Sequence, residues 1–265
     1  MHRMLALLTT SLLSISAQAD FDASVSLGGL TFELIDLDVN DGITPSITVS
    51  PISLGGGIYL QFGDSTETRS SAYLNRFAET SKSLSNGPLT GTYTFQGLDA
   101  QSFIMGATSN VDIEGVASSS QFHSHQNLSW YGHFRVTPHT LVKASAPAQV
   151  AANLNAVLSD GATSYHRVKA SINVDDVGDF QSDEVGFELS NVTEPFTSTK
   201  SKRLTFALEN AGADFKATRV YFYSEITQGV SPVPEPSTVV AWLAGLTLLA
   251  RRQYKVGPAK SISGH

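Results

Sequence analysis

Asp36, Asp38, Asn40 and Asp41 crowd oxygen-bearing side chains into a short stretch that ends at Gly42. A hard cation such as Ca2+ is held by that kind of ligand density. An EF-hand loop has Gly at about its sixth position and Glu at its twelfth. Counted from Asp36, Gly42 comes one position late and Ile47 stands where the Glu should be, so the spacing excludes an EF-hand. Two readings remain: a Ca2+ site between strands, or a strand running into an Asn-Asp-Gly turn whose residues serve backbone geometry.

A second acidic run, Asp175, Asp176, Asp179, Asp183 and Glu184 around Gly178, poses the same choice between a bound counter-ion and a solvated hairpin connection. His123 and His125 stand two apart, so on a strand they share a face, and His133 and His139 follow. Paired histidines with a third ligand hold zinc or iron in many hydrolases; the alternative is an exposed polar strand. Trp130, Tyr131 and Phe134 offer either a sugar-stacking platform or core. The chain has no Gly-x-Ser-x-Gly elbow, no His-Glu-x-x-His and no P-loop, and without cysteine it has neither thiol catalysis nor thiolate metal sites. These absences point away from an enzyme.

The elements that must position these residues read as strands. Short runs rich in β-branched and aromatic residues occur at 23–27, 30–37, 46–54, 59–62, 91–95, 103–107, 111–116, 128–136, 140–146, 165–174, 184–189, 203–208 and 217–226, punctuated by Gly, Pro, Asn and Asp. Val168, Ala170, Ile172 and Val174 alternate with Lys169, Ser171 and Asn173, the period of a half-buried strand. Two stretches are ambiguous. Residues 72–84 place Leu74, Phe77, Ala78 and Leu84 near helical spacing, and 149–158 fit either a turn or two of helix or a strand with Val150, Ala152, Leu154 and Ala156 on one face. The expected fold is an all-β body, a single β-sandwich or jelly roll.

The formal charge of −7 understates the acidity of that body. Arg3, Arg251, Arg252, Lys255 and Lys260 lie in the terminal segments, leaving 12 basic against 23 acidic residues between Asp20 and Val233. Such a surface repels nucleic acid and anionic lipid. With no disulfide available, the body must hold itself by core packing, which its size permits.

Both ends read as export signals. His2 and Arg3 precede an apolar stretch from Leu5 to Ile15, and Ala17-Gln18-Ala19 forms an A-x-A cleavage site before Asp20. At the other end Pro234 and Pro236 keep the chain extended, and an uncharged helix capped by Ser237 or Thr238 runs to Ala250. It rises roughly 20 Å against a hydrocarbon core of roughly 30 Å, short for a permanent anchor. Arg251 and Arg252 then place the C-terminus in the cytoplasm.

The Pro234-Glu235-Pro236 triplet, the short apolar helix and the arginine pair resemble the PEP-CTERM sorting signal of exopolysaccharide-producing Gram-negative bacteria. The resemblance covers about twenty residues, and the chain departs from it in continuing from Gln253 to His265. Residues 34–48 also resemble a block found in secreted PEP-CTERM proteins that have no assigned activity. The resemblance implies a membrane-embedded exosortase that cuts near the triplet, transient passage through the inner membrane and delivery to the cell surface or matrix. The expected organisation is a signal peptide at 1–19, an extracytoplasmic β body at 20–231, a sorting signal at 232–252 and a cytoplasmic tail at 253–265. The expected role is structural or adhesive, in biofilm or floc. A carbohydrate- or calcium-binding module is the alternative and a secreted hydrolase the third choice.

Overall fold

A computed structural model describes residues 19–63, 69–74, 80–96, 104–113, 121–155, 157–158, 162–176 and 179–231. Ala17, the apolar leader, and the sorting segment with Pro234, Glu235, Pro236, Arg251 and Arg252 lie outside the described residues. Ala19 opens the first strand opposite Ile113.

Among the described residues every regular element is a strand: β1 (Ala19–Leu27), β2 (Thr31–Asp36), β3 (Ile47–Phe62), β4 (Arg69–Leu74), β5 (Thr80–Asn86), β6 (Leu89–Gln96), β7 (Met105–Ile113), β8 (Phe122–Val136), β9 (Thr140–Leu154), β10 (Thr163–Asp176), β11 (Asp179–Val192), β12 (Phe196–Asn210) and β13 (Lys216–Ser231). They form two antiparallel sheets. One runs β12-β9-β1-β7-β6-β5, with β2 also paired to β9; the other runs β11-β10-β13-β8-β3-β4. The all-β expectation therefore holds, in the form of two facing sheets.

Alternation builds the interior. Val168, Ala170, Ile172 and Val174 are buried, as their period requires, and Val142, Ala144, Ala146, Val150 and Ala152 do the same on β9. Trp130 packs edge-on against Phe222 at 4.9 Å and Phe134 against Phe206 at 6.0 Å, so the larger apolar cluster joins β8 and β13 to β12 of the opposite sheet. Burial of each such side chain contributes about 1.5–3 kcal/mol. A smaller cluster gathers Phe21, Leu60, Val111, Phe122 and Val230.

Several boundaries differ from expectation. The runs 46–54 and 59–62 are one strand, β3, with a register shift between Pro51 and Ser53. Its glycines carry the strand through a tight place: a Cβ on Gly56 would stand 2.9 Å from the Asn127 carbonyl oxygen. Runs 103–107 and 111–116 likewise contribute to one strand, β7. The helical reading of 72–84 is overturned where the chain is described, since 72–74 close β4 and 80–84 belong to β5; Phe77 and Ala78 lie outside the described residues. Of the two readings of 149–158, the strand holds through Leu154, as the end of β9.

The outermost strands β11 and β12, one from each sheet, close one side of the body through side chains. Gln181 Oε1 accepts from the Ala207 N–H at 3.3 Å, and Asp183 Oδ2 accepts from the Thr205 N–H at 2.9 Å. In return Lys200 and Lys202 donate to the carbonyls of Gly186 and Glu184, each at 3.2 Å. Each edge thus fills the other's backbone valences.

Candidate functional site

The Asp36 loop spends its side chains on its own backbone. Asp36 accepts from the Asp38 N–H at 3.0 Å, Asp38 from the Asn40 N–H at 3.1 Å and Asp41 from the Ile43 N–H at 2.6 Å. These are the Asx turns of the backbone-geometry reading. Asp41 Oδ2 is covered and has no hydrogen-bond partner among the described residues. In the second acidic run the counter-ions are lysines: Lys216 bonds Asp176 at 2.6 Å, Lys202 pairs with Asp183, and Lys169 pairs with Glu184. Burial raises the Asp183 pKa, but the Lys202 hydrogen bond and the Thr205 N–H outweigh it and hold the carboxyl below its ordinary range. Among the described residues no group of three or more His, Asp or Glu side chains is placed to hold a metal ion.

The histidines separate. His123 and His125 share the outer face of β8 as their spacing requires, but His133 follows on that strand roughly 26 Å beyond His125 at ~3.3 Å per residue. His139 sits in the turn into β9, in the left-handed region at φ 48°. The third ligand of a hydrolase site is therefore not brought to the pair. Trp130 and Phe134 are core, while Tyr131 faces outward and stacks on Tyr221 at 5.8 Å.

Around His123 and His125 the second sheet assembles an aromatic cluster that the sequence spreads over more than a hundred residues. Tyr59 on β3 stacks on His123 at 5.1 Å and on His125 at 5.3 Å, with interplanar angles of 9° and 28°. Tyr165 on β10 closes the group, its hydroxyl bonded to His123 Nδ1. Gly229 stands between them in the register, where a Cβ would meet the Tyr165 ring at 2.4 Å. The glycine is what lets that ring lie over the strand.

Hydrogen bonds assign the tautomers. Burial, then the neighbouring Tyr59, pushes the Tyr165 pKa up, so its hydroxyl stays protonated and donates to His123 Nδ1. The proton of the neutral His123 ring is then on Nε2. Thr227 Oγ1 donates to Glu225 at 3.3 Å, so it accepts from His125 Nδ1–H at 3.0 Å. Neighbouring imidazoles thus carry opposite tautomers. Farther along this face Glu225 lies 3.8 Å from Arg167 Nε, and Asn127 accepts the Gly57 N–H at 2.7 Å. The face continues past Tyr131, Tyr221 and Tyr223 to a 400 Å³ hollow lined by His133, Asp175 and Arg219.

Two other surfaces offer shape with less chemistry. A 740 Å³ hollow over β2, β9 and β12 is lined by Thr31, Glu33, Lys143, Ser145, Arg203 and Thr205. Glu33 and Lys143 are direct cross-strand neighbours of opposite charge, and Arg203 is bonded to Ser145 at 3.2 Å. On β1, β7 and β9 short side chains form a ladder: Asn110 donates to Asp22, Asn153 to Asp22, and Thr197 to Asn153. Asp112, across from Asp20, holds the Asp20 carboxyl above its ordinary range chiefly through their hydrogen bond.

Compared with known proteins, the chain matches no protein-family model and no curated protein.

Proposed function

We propose that this is an exported protein of the cell surface or exopolysaccharide matrix, structural or adhesive rather than catalytic. In this reading an exosortase acts at Pro234-Glu235-Pro236, and the body holds polysaccharide through the outer face of its second sheet. One observation carries the binding half: Tyr59, His123, His125 and Tyr165 gather planar rings beside neutral hydrogen-bonding groups. A sugar presents an apolar C–H face and a rim of hydroxyls, and rings with polar tips match both at little entropic cost. The charged neighbours Arg167 and Glu225 form a pair within the face. The acidic body opposes anionic polymers, so neutral glycans are the favoured class.

Calorimetry of the full chain with neutral exopolysaccharide tests this. Tyr59→Ala and Tyr165→Ala are expected to weaken binding at least about tenfold, equivalent to about 1.4 kcal/mol; unchanged affinity in both variants refutes the face. Sorting is tested separately by replacing Pro234 and Pro236 with Ala and fractionating cells. Unchanged processing and surface delivery would remove the exosortase from the reading.

A further inference from the structure

Between the sheets, polar side chains occupy positions where alternation calls for apolar ones. Ser124, Gln228 and His166 are direct cross-strand neighbours on β8, β13 and β10, and none is more than 1% exposed. Facing them, Tyr93 and Ser109 are neighbours on β6 and β7. Two hydrogen bonds cross the gap: Tyr93 Oη with Ser124 Oγ at 2.8 Å, and Ser109 Oγ to Gln228 Oε1 at 3.0 Å. This layer separates the apolar clusters, with Ala107, Leu128 and Ile226 on one side and Val111, Phe122 and Val230 on the other.

The accounting of donors and acceptors does not close among the described residues. Gln228 Oε1 is used, yet among the described residues Gln228 Nε2 has no partner, and His166 Nδ1 has none either. The tautomer of His166 follows from its neighbour. Ser164 Oγ donates to the Val192 carbonyl at 3.3 Å, so it accepts from His166 Nε2–H at 3.2 Å, which leaves a lone pair on Nδ1. A buried donor and a buried acceptor therefore stand on adjacent residues whose Cβ atoms are about 4.5–5.5 Å apart, without bonding each other. On the facing sheet the row continues from Ser109 into the short side chains of Ala23 and Ala152.

We infer that the sandwich encloses an ordered water molecule between Gln228 Nε2 and His166 Nδ1, accepting from the amide and donating to the imidazole. Interior waters characteristically complete valences of this kind, and a polar wall distinguishes such a site from a dry apolar void. The water joins β13 to β10 and, through Gln228 and Ser109, both to the opposite sheet. Burial that moves the His166 pKa down to about 4 agrees with an uncharged ring able to accept.

The test is a crystal structure of the full chain at a resolution that shows solvent, paired with water-to-amide cross-peaks at the Gln228 side chain. Expected are a density peak within hydrogen-bond reach of both atoms and a long-lived water signal. A dry site, or a direct bond between the two residues, overturns the inference whatever the variants do. Gln228→Leu is the second measurement: a bridged amide predicts a lower Tm, whereas a higher Tm means that a dry, unpaired amide has been removed and also overturns it. Neither readout depends on polysaccharide binding.

Discussion

His166 shows how much one interior side chain can fix. Its ring lies against Phe21 at 5.8 Å and edge-on to Phe196 at 4.7 Å, surroundings that can accept an imidazole but not an imidazolium. Burial sets its folded pKa at about 4 against an ordinary value of 6.5. Between those values the unfolded chain binds the extra proton, so stability is complete above pH 6.5 and falls as the pH drops through the window. The limiting slope is about 1.4 kcal/mol per pH unit. Urea midpoints measured from pH 7 to pH 4 are expected to decline along this curve, and His166→Phe to flatten it. A wild-type profile already flat between pH 6.5 and 4.5 would contradict the assignment. The parity of Val168 on β10 carries His166 inward, but its polar neighbours across the sheet are harder to place from the sequence. In the run His123-Ser124-His125-Gln126 every residue is polar and gives no local contrast; the parity of Phe122 and Leu128, together with pairing to β13, turns Ser124 and Gln126 in and the histidines out. Tyr59 and Tyr165 were equally hidden as a site, because a long-range register, not local spacing, brings them together.

At the scale of elements, local pattern served where one face is wholly apolar. The alternation from Val168 to Val174 identifies β10 without ambiguity, whereas the Gly55-Gly56-Gly57 triplet looks like a break. It is continuous strand because all three glycines pair with β8, which at Gly56 comes so close that a Cβ would collide with the Asn127 carbonyl. The residues 149–154 fit two periods at once, and pairing of β9 with both β1 and β12 selects the extended one. The β11–β12 boundary makes a further prediction. Asp183→Ala leaves the Thr205 N–H and Lys202 without their carboxylate, which should lower stability by about 1 kcal/mol. It also opens part of a strand edge, so concentration-dependent association by light scattering should rise. Unchanged melting and unchanged association would mean that this closure is incidental. The depressed Asp183 pKa has a matching sign: its stabilisation is present at neutral pH and is lost as the pH falls through the folded value.

For the whole molecule, the position of the last strand matters more than its length. β13 lies inside the second sheet, registered against β10 from Thr163↔Ser231 to Asp175↔Arg219 and against β8 from Val136↔Lys216 to Phe122↔Val230. It also carries Glu225, Thr227 and Gly229 behind the aromatic cluster, so the strand that leads toward the proposed sorting segment lies behind the proposed contact surface. A chain held to a matrix by that face and drawn from its C-terminal end would be loaded along β13. Ladder hydrogen bonds lie across such a pull, so they resist together in shear instead of opening one at a time. Force spectroscopy between the C-terminal end and a ligand-held body is expected to show one abrupt rupture, while stepwise peeling would indicate that tension enters elsewhere. Flow past a cell would then be borne by two full ladders in parallel, and the weakest link of the tether would be the sugar contact rather than the protein.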